Sequence, residues 1–350
     1  MSATNFTPIE SIDVGAVRIL DQTRLPHEVA FRSLETLEDA AEAIRVMRVR
    51  GAPLIGVTAA YGLALAVRED PSDQAIEGAM RTLLATRPTG VNLRRVVTDV
   101  GAELRALPPE ERGPAAWRAA ERLRAEDVEM NRAIGEHGLR LLREIAAERD
   151  GPLRILTHCN AGALATAGLG TATAPLNRAP AEGIGLHVWV DETRPRNQGA
   201  ALTAWELGNA GIAHTVVVDN AGGHLMQQGL VDACIVGTDR TLSTGDVCNK
   251  IGTYLKALAA QDNGVPFFVA VPGPSIDWDT LDPDEIPIEA RDGREVAEMG
   301  GVRLVPPGTP TANYGFDVTP ARLVTRLITE RGVCAASADG LRELYPEVAR

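Results

Sequence analysis

The fold of this chain is decided by the stretch LRILTHCNAG, residues 153–162, in which a short apolar run gives way to a polar, glycine-containing turn. Similar runs recur downstream at Leu186–Val190, Thr215–Val218, Cys234–Val236 and Phe267–Val271, and helix-length segments separate them. Continuous apolar strands that alternate with helices are typical of a parallel sheet covered on both faces. The pattern predicts a doubly wound α/β domain over residues 151–350.

The first 150 residues carry a different pattern, that of a mainly helical domain. Apolar spacing predicts helices over Leu34–Val49, 53–67, 73–86, 91–106 and 114–149, with Pro/Gly breaks at 107–109 and 112–114 before the last of them. Residues Val17–Leu20 are expected to form a short strand. A length of 350 residues fits two domains, 1–150 and 151–350, at roughly 100–200 residues each.

Composition excludes several classes of partner. The net charge of −12 disfavours binding to the phosphate backbone of nucleic acids. Four widely spaced cysteines, with no CxxC and no Cys/His cluster, argue against a zinc site and a disulfide framework, so no metal is expected. We see no signal peptide and no apolar stretch of the roughly 18 residues that a membrane span needs. The sequence therefore predicts a cytoplasmic protein with neither a membrane nor a nucleic-acid partner.

Polar turns follow four of the predicted strands. They occupy residues 157–162, 191–199, 219–224 and 237–252. In open parallel sheets, ligands bind outside the carboxyl ends of the strands, so these turns are expected to form one site.

Cys159 and Asp239 are the candidate reactive groups, and each allows two interpretations. Cys159 is predicted to precede a helix that begins near Ala161, whose N-terminus would lower the thiol pKa; alternatively, it is a small buried residue. Asp239 at a buried strand end is either a functional acid or a cap and a partner for Arg240. The cysteines at 234, 248 and 334 are assigned to packing.

Two segments have the character of phosphate contacts. Asn249 and Lys250 are expected at the start of a helix, and Arg50 and Gly51 precede another at Pro53. Ordinary helix initiation explains both segments equally well. Neither a P-loop nor a GxGxxG after a strand is present, so no nucleotide cofactor is expected. The residues alone predict a small anionic ligand beside a thiol and a carboxylate.

Seven strings of sequence take the interpretation further. They are RGAPLIGVTAAYG (50–62), RPTGVNL (87–93), THCNAGALAT (157–166), DETRPRNQGAALTAWEL (191–207), GTDRTLSTGDVCNKIGTY (237–254), IPIEARD (286–292) and FDVTPARLVTRLITERG (316–332). Together, and in this order, they resemble the 5-methylthioribose-1-phosphate isomerase family of methionine salvage. Its wider superfamily includes ribose-1,5-bisphosphate isomerase and regulatory subunits of a translation-initiation exchange factor.

The resemblance implies a helical N-terminal domain packed on a Rossmann-like C-terminal domain, usually as a homodimer without a cofactor. It implies conversion of a sugar phosphate, 5-methylthioribose 1-phosphate, to its ketose, with Cys159 and Asp239 as the catalytic pair. The substrate contacts that it implies are Arg50, Gly51, Ala52, Arg87, Gln198, Asn249 and Lys250.

Three positions depart from the common family pattern, namely Asn197, Ala201 and Thr238. These departures leave undecided which chemical group the substrate carries at C5 of the sugar. A sister isomerase acting on 5-deoxyribose 1-phosphate or ribose 1,5-bisphosphate is therefore an alternative. A non-catalytic regulatory subunit is a second one, although it would be expected to lose the thiol and carboxylate. The sequence does not choose between a proton and a hydride transfer.

Overall fold

A computed structural model describes residues 6–13, 15–88 and 90–348 of the chain. Within them the α-helices are α1 Leu37–Arg45, α2 Ala52–Glu69, α3 Asp73–Leu84, α4 Val91–Arg105, α5 Pro109–Ala147, α6 Ala174–Arg178, α7 Ala204–Asn209, α8 Ala221–Gln227, α9 Thr253–Asp262, α10 Arg294–Ala297 and α11 Ala338–Leu344. The strands are β1 Ile9–Asp13, β2 Ala16–Leu20, β3 Phe31–Leu34, β4 Leu153–Thr157, β5 Leu186–Asp191, β6 His214–Val217, β7 Ala233–Val236, β8 Arg240–Leu242, β9 Val247–Lys250, β10 Phe267–Ala270, β11 Ile276–Asp277, β12 Glu298–Met299, β13 Val302–Arg303, β14 Phe316–Thr319, β15 Arg326–Thr329 and β16 Gly332–Cys334.

The N-terminal part is organised around α2, which is apolar on every side. Leu54, Leu63 and Leu65 of this helix are completely buried. Helices α1, α3, α4 and α5 surround it. An all-apolar helix is stable in water only when other elements cover it, so α2 holds this part together. The prediction of a mainly helical N-terminal part is confirmed.

The first predicted helix is shorter than its apolar pattern suggested. Leu34 ends strand β3, and Thr36 caps α1 by accepting a hydrogen bond from the Asp39 backbone N–H while the Asp39 side chain accepts one from the Thr36 backbone. Met47 lies in the left-handed region at φ 63°. The capping box and this turn set the two ends of the helix, because both compete with further helical hydrogen bonds.

The break predicted at residues 112–114 was wrong. Helix α5 begins at Pro109 and continues through Pro114. A proline this close to the N-terminus forfeits a single intrahelical hydrogen bond. The next residues, 115–120, bury Ala115, Ala116 and Ala119 in the core around α2. That packing outweighs the lost bond, so the helix is not interrupted.

The C-terminal part contains the predicted doubly wound sheet. Its strand order is β16-β15-β10-β7-β4-β5-β6. All pairs are parallel except β15–β16, and the five predicted strands lie within one residue of their expected ends. Apolar residues of α5, α6 and α7 cover one face, while those of α8, α9 and α11 cover the other. The fold class is confirmed.

Helix α5 belongs to both hydrophobic cores. Its first half packs on α2, whereas Ile134, Leu139 and Leu142 of its second half pack on the large sheet. This helix holds the N-terminal helices over one end of the sheet. The division into domains at residue 150 stays a prediction.

A second sheet, with the order β11-β8-β9-β14, lies beside the first and was not anticipated. It contains Asn249 and Lys250, which were expected at the start of a helix and instead form the end of β9. Lys250 pairs with Phe316 and Asn249 with Asp317 in the antiparallel β9–β14 ladder, and α9 begins only at Thr253. Pairing with a strand more than sixty residues away in sequence decides this conformation, which a local pattern does not reveal.

Among the described residues, no helix is long and apolar enough to cross a membrane.

Replacement of a buried leucine in α2 tests the role of that helix. Leu65 is completely buried, so Leu65→Ala should lower the free energy of unfolding by about 2–5 kcal/mol. Leu255 in α9 is 58% exposed, and Leu255→Ala is the matched control with an expected change within about 0.5 kcal/mol. Urea unfolding followed by circular dichroism measures both. Equal losses in the two variants would contradict the central position of α2.

Candidate active site

All the predicted site residues except Asn249 line one cleft between the N-terminus of α2 and the carboxyl ends of β4 and β7. The predicted residues that line it are Arg50, Gly51, Ala52, Arg87, Cys159, Gln198, Asp239 and Lys250. Asn249 lines a smaller pocket that adjoins the cleft and shares Cys159 and Asp239 with it. Strands β4 and β7 are direct neighbours, which explains why residues about eighty positions apart in sequence meet here.

Cys159 sits in a strained turn at the end of β4. Its φ is 64°, in the left-handed region that costs a non-glycine residue about 1–3 kcal/mol. Two threonines hold the turn: the Cys159 backbone N–H donates to Thr193 Oγ1 at 2.8 Å, and Thr203 Oγ1 donates to the Cys159 carbonyl at 2.7 Å. This bend places the residue in the wall of the cleft, where it is 8% exposed.

The helix expected to begin near Ala161 was wrong, and so was the lowered thiol pKa. The segment contains only a three-residue 3₁₀ turn, Ala163–Ala165. Backbone N–H groups of Ala163 and Leu164 donate instead to the buried carboxylate of Glu206, at 2.8 and 2.9 Å. Burial raises the pKa of Cys159, and the positive charges of Arg50 and Lys250 oppose this rise.

Asp239 follows β7 and lies at the base of the cleft. Its backbone N–H donates to the Cys248 carbonyl at 3.1 Å. Burial raises the pKa of its carboxyl, against the opposing charges of Lys250, Arg50 and Arg87. Arg240, the alternative partner, forms an ion pair with Asp277 at 3.3 Å. Asp239 itself is a buried carboxyl that lines the cleft.

Arg50 and Lys250 bring positive charge into the cleft through neutral partners. The Arg50 guanidinium donates to the side-chain oxygen of Asn160 and, at 2.7 Å, to its backbone carbonyl. Lys250 Nζ donates to the Gly315 carbonyl at 2.7 Å and lies 4.5 Å from the centre of the Phe316 ring. Burial lowers the pKa of Lys250, while the neighbouring Cys159 and Asp239 oppose that change. These contacts leave the charges of both side chains available to an anion.

Arg87 differs from these two cations because Glu289 neutralises it. Its Nη2 lies 3.1 Å from Glu289 Oε2, and its buried Nε has no hydrogen-bond partner among the residues described. Glu289 belongs to the IPIEARD string, yet the sequence gave no reason to assign it a role. An anion that binds Arg87 must compete with this carboxylate.

Gln198 and Asn249 supply amide groups at the edges of the cleft. The buried Oε1 of Gln198 has no partner in the part of the chain that the structure describes, so it can accept a hydrogen bond from a ligand hydroxyl. Asn249 Nδ2 donates to Thr253 Oγ1 at 3.0 Å.

Some residues that line the cleft were not predicted. Cys248 packs with Leu242 and Ile286, as expected, but it also lines the cleft, whereas Cys234 and Cys334 lie only in the core. The apolar wall of the cleft was also not anticipated and comprises Met47, Ile55, Val91, Leu93, Ile286, Pro287 and Phe316. The alternation within β9, which places Cys248 and Lys250 on the same face, was the available signal for Cys248.

A group of potential metal ligands lies behind the cleft. Atoms of His158, Asp191 and Asp219 approach one another within 4.8 Å. The ammonium of Lys256 lies 3.2 Å from Asp191 Oδ2 and donates to the Asp219 backbone carbonyl, so a positive charge already lies beside two members of this group. The expectation that the protein holds no metal stays a prediction.

Comparison with known proteins agrees with this architecture. Residues 48–336 match the Initiation factor 2 subunit family. Methylthioribose-1-phosphate isomerase of Rhodospirillum rubrum is 60% identical over 349 residues, covering 95% of this chain and 90% of that protein. The Methylorubrum populi protein of the same name is 60% identical over 343 residues, covering 95% of this chain and 94% of the relative. The chain belongs to the methylthioribose-1-phosphate isomerase family.

Solved structures place the isomerase family beside initiation factors. A crystal structure of 5-methylthioribose 1-phosphate isomerase from Pyrococcus horikoshii has a TM-score of 0.86 and 38% identity, covering 98% of this chain and 97% of that one. The delta subunit of translation initiation factor eIF-2B from A. fulgidus has a TM-score of 0.84 and 38% identity, covering 98% and 100%. The isomerase family thus shares its fold with proteins named for a different role.

Gly51 offers a test of the close approach between α2 and the cysteine segment. Its φ is +91°, and a Cβ there would lie 2.5 Å from the Ala165 carbonyl oxygen. Gly51→Ala should therefore lower the free energy of unfolding by about 1–3 kcal/mol and displace Arg50. Gly113 in α5 has no neighbour within 4 Å of such a Cβ, so Gly113→Ala should stabilise the protein by about 0.5–1 kcal/mol. Chemical unfolding compares the two, and changes of the same sign would contradict this account.

Proposed function

We propose that the cleft isomerises 5-methylthioribose 1-phosphate to 5-methylthioribulose 1-phosphate, as the names of the chain's relatives indicate. The observation that carries the proposal is the burial of a thiol and a carboxyl, Cys159 and Asp239, beside the cations Arg50, Arg87 and Lys250. This combination suits a phosphorylated sugar whose reaction needs acid and base groups but no nucleotide.

The phosphate group is assigned to Arg50, Lys250 and Arg87. A phosphate dianion needs charged donors, and Arg50 and Lys250 have neutral partners in their hydrogen bonds. Arg87 is held by Glu289, so we expect it to contribute less unless that ion pair opens. Gly51 and Ala52, at the start of α2, allow the backbone to approach the anion.

Asp239 is assigned as the acid that opens the sugar ring. Because C1 carries the phosphate, the ring must open by protonation of the ring oxygen. Burial raises the pKa of Asp239, which favours the protonated form needed to donate that proton. After donation, the carboxylate is stabilised by the charges of Lys250 and Arg50.

Two routes then move hydrogen from C2 to C1, and Cys159 has a role in each. In one, a Cys159 thiolate takes the C2 proton, and the C2 hydroxyl loses its own proton to give an enolate, to which a proton returns at C1. In the other, hydride moves directly from C2 to C1 while the C2 hydroxyl loses its proton, and Cys159 stabilises the positive charge at C1. The raised pKa of the thiol means that little thiolate is present in the empty cleft at neutral pH.

Running the reaction in deuterated water separates these routes. Deuterium at C1 of the product identifies the enolate route, because that proton comes from exchangeable groups. Its absence at every extent of reaction favours hydride transfer.

The apolar wall of the cleft favours the methylthio group over its alternatives. Met47, Ile55 and Phe316 line the cleft that holds the catalytic pair. A second phosphate at C5 would have to be desolvated against this wall, whereas a methylthio group gains from burial there. We expect kcat/KM to be highest for 5-methylthioribose 1-phosphate, about 10–200-fold lower for 5-deoxyribose 1-phosphate, and lowest for ribose 1,5-bisphosphate.

A regulatory, non-catalytic role is the second candidate, because the initiation-factor subunit from A. fulgidus is as similar in sequence as the archaeal isomerase. The purified chain distinguishes them: turnover without metal or nucleotide supports the isomerase. The homodimer and the cytoplasmic location implied earlier stay predictions.

Removal of either reactive group should abolish most turnover. We expect Cys159→Ser and Asp239→Asn each to lower kcat by about 10²–10⁴-fold, since a serine hydroxyl is a far weaker acid and an amide cannot supply a proton. Coupled measurement of ketose formation gives the rates. Cys334→Ser is the matched control, because Cys334 lies in β16 outside the residues lining the cleft, and its kcat should stay near that of the unaltered enzyme. Normal turnover by either cleft variant would overturn the assignment.

A further inference from the structure

The ring of His158 joins the two halves of the cleft. His158 directly precedes Cys159, and its Nε2 lies 2.8 Å from the carbonyl oxygen of Ile251, the residue that directly follows Lys250. Its Nδ1 lies 2.8 Å from Asp191 Oδ2, and the side chain is 1% exposed. One imidazole therefore connects the neighbour of the thiol to the neighbour of the ammonium.

The contact with Ile251 fixes which ring nitrogen donates. A backbone carbonyl only accepts hydrogen bonds, so Nε2 must carry a hydrogen. Asp191 Oδ2 holds the opposite edge of the ring and also contacts the ammonium of Lys256 at 3.2 Å. The ring is therefore fixed at both of its nitrogens.

Charged side chains from separate elements surround the ring. Asp191 on β5 contacts both the ring and the ammonium of Lys256 on α9. Asp317 on β14 accepts the Gly252 and Tyr254 backbone N–H groups at 2.7 and 3.2 Å, directly after Ile251. Asp219, beyond β6, lies within the same cluster as the ring and Asp191. The ring and the turn that it contacts are therefore held by the same group of side chains.

The backbone next to Ile251 is shaped for this approach. Gly252 has a φ of +102°, and a Cβ on it would lie 3.1 Å from His158 Cε1. Larger residues would push the ring away from the Ile251 carbonyl. The close contact therefore depends on a glycine in the turn between β9 and α9.

We propose that His158 is a positioning residue whose buried ring fixes the phosphate-binding end of β9 relative to Cys159. This inference rests on the proposed function, in which Lys250 holds the phosphate and Cys159 faces the reacting carbons. The contact between His158 and the Ile251 carbonyl sets the distance between Lys250 and Cys159. The ring itself contacts neither the substrate nor the reacting atoms.

Nuclear magnetic resonance of the His158 ring tests its contact with the Ile251 carbonyl without any substrate. In protein labelled with ¹⁵N-histidine, the signals of His158 are assigned by their loss in His158→Gln. We expect Nε2 to have a shift typical of N–H, because it donates to the Ile251 carbonyl. An unprotonated Nε2 would overturn the proposal. If His158→Gln fails to fold, the His158 signals are assigned in the unaltered protein through the contact of the ring with Asp191, and the same result decides the proposal.

The kinetics of His158→Gln test whether this contact matters for catalysis. His158→Gln should lower kcat on the order of 100-fold with little change in KM, because the phosphate still binds while the reacting carbons are misplaced. His187→Gln is the matched control, since His187 lies on β5 with its Nε2 near Thr215 Oγ1 at 3.2 Å, and its kcat should not change. A lowered melting temperature with unchanged kcat per folded enzyme would show a merely structural role and overturn the proposal. Failure of the unaltered protein to turn over 5-methylthioribose 1-phosphate would instead contradict the proposed function. The spectrum of the ring would then be the test of the contact between His158 and Ile251.

Discussion

The site depends on the burial of acidic and basic groups in one cleft. Burial shifts Asp239 and Lys250 toward their neutral forms, and each opposes that shift in the other. Removing either one would shift its partner further toward the neutral form, because burial disfavours the charged state. The distance between them depends on the register of β9, since the Asp239 backbone N–H donates to the carbonyl of Cys248 in that strand. Strand pairing therefore controls the electrostatics of the site.

Strand pairing outside the main sheet sets that register. Strand β9 is antiparallel to β8 and β14, and this brings Lys250 opposite Phe316 and Asn249 opposite Asp317. On the other side, the turn at Cys159 is held by Thr193 and Thr203 from the segments after β5. Helix α5, shared by both cores, keeps the N-terminus of α2 over this edge. The cleft is thus assembled from three separate parts of the chain.

An enzyme that keeps a thiol and a carboxyl in one apolar cleft controls chemistry through desolvation. In water, the thiol and the carboxyl would have ordinary pKa values and the carboxyl would be ionised. Burial raises the pKa of both, which favours their protonated forms, and a bound phosphate adds negative charge that favours these forms further. The nearby cations limit this effect. Such a balance suits a reaction that begins with protonation of a ring oxygen.

The sequence by itself determined the doubly wound sheet and the helical N-terminal part, because strand and helix periodicities are local. The polar turns and the family resemblance also predicted the residues that the structure brings together around the cleft. It did not determine the direction of the Cys159 pKa shift, since the expected helix is replaced by backbone bonds to Glu206 from a distant helix. It also missed β9 as a strand, the helical course of α5 through Pro114 and the contact between His158 and Ile251. Each of these depends on partners far away in sequence, so only tertiary packing decided them.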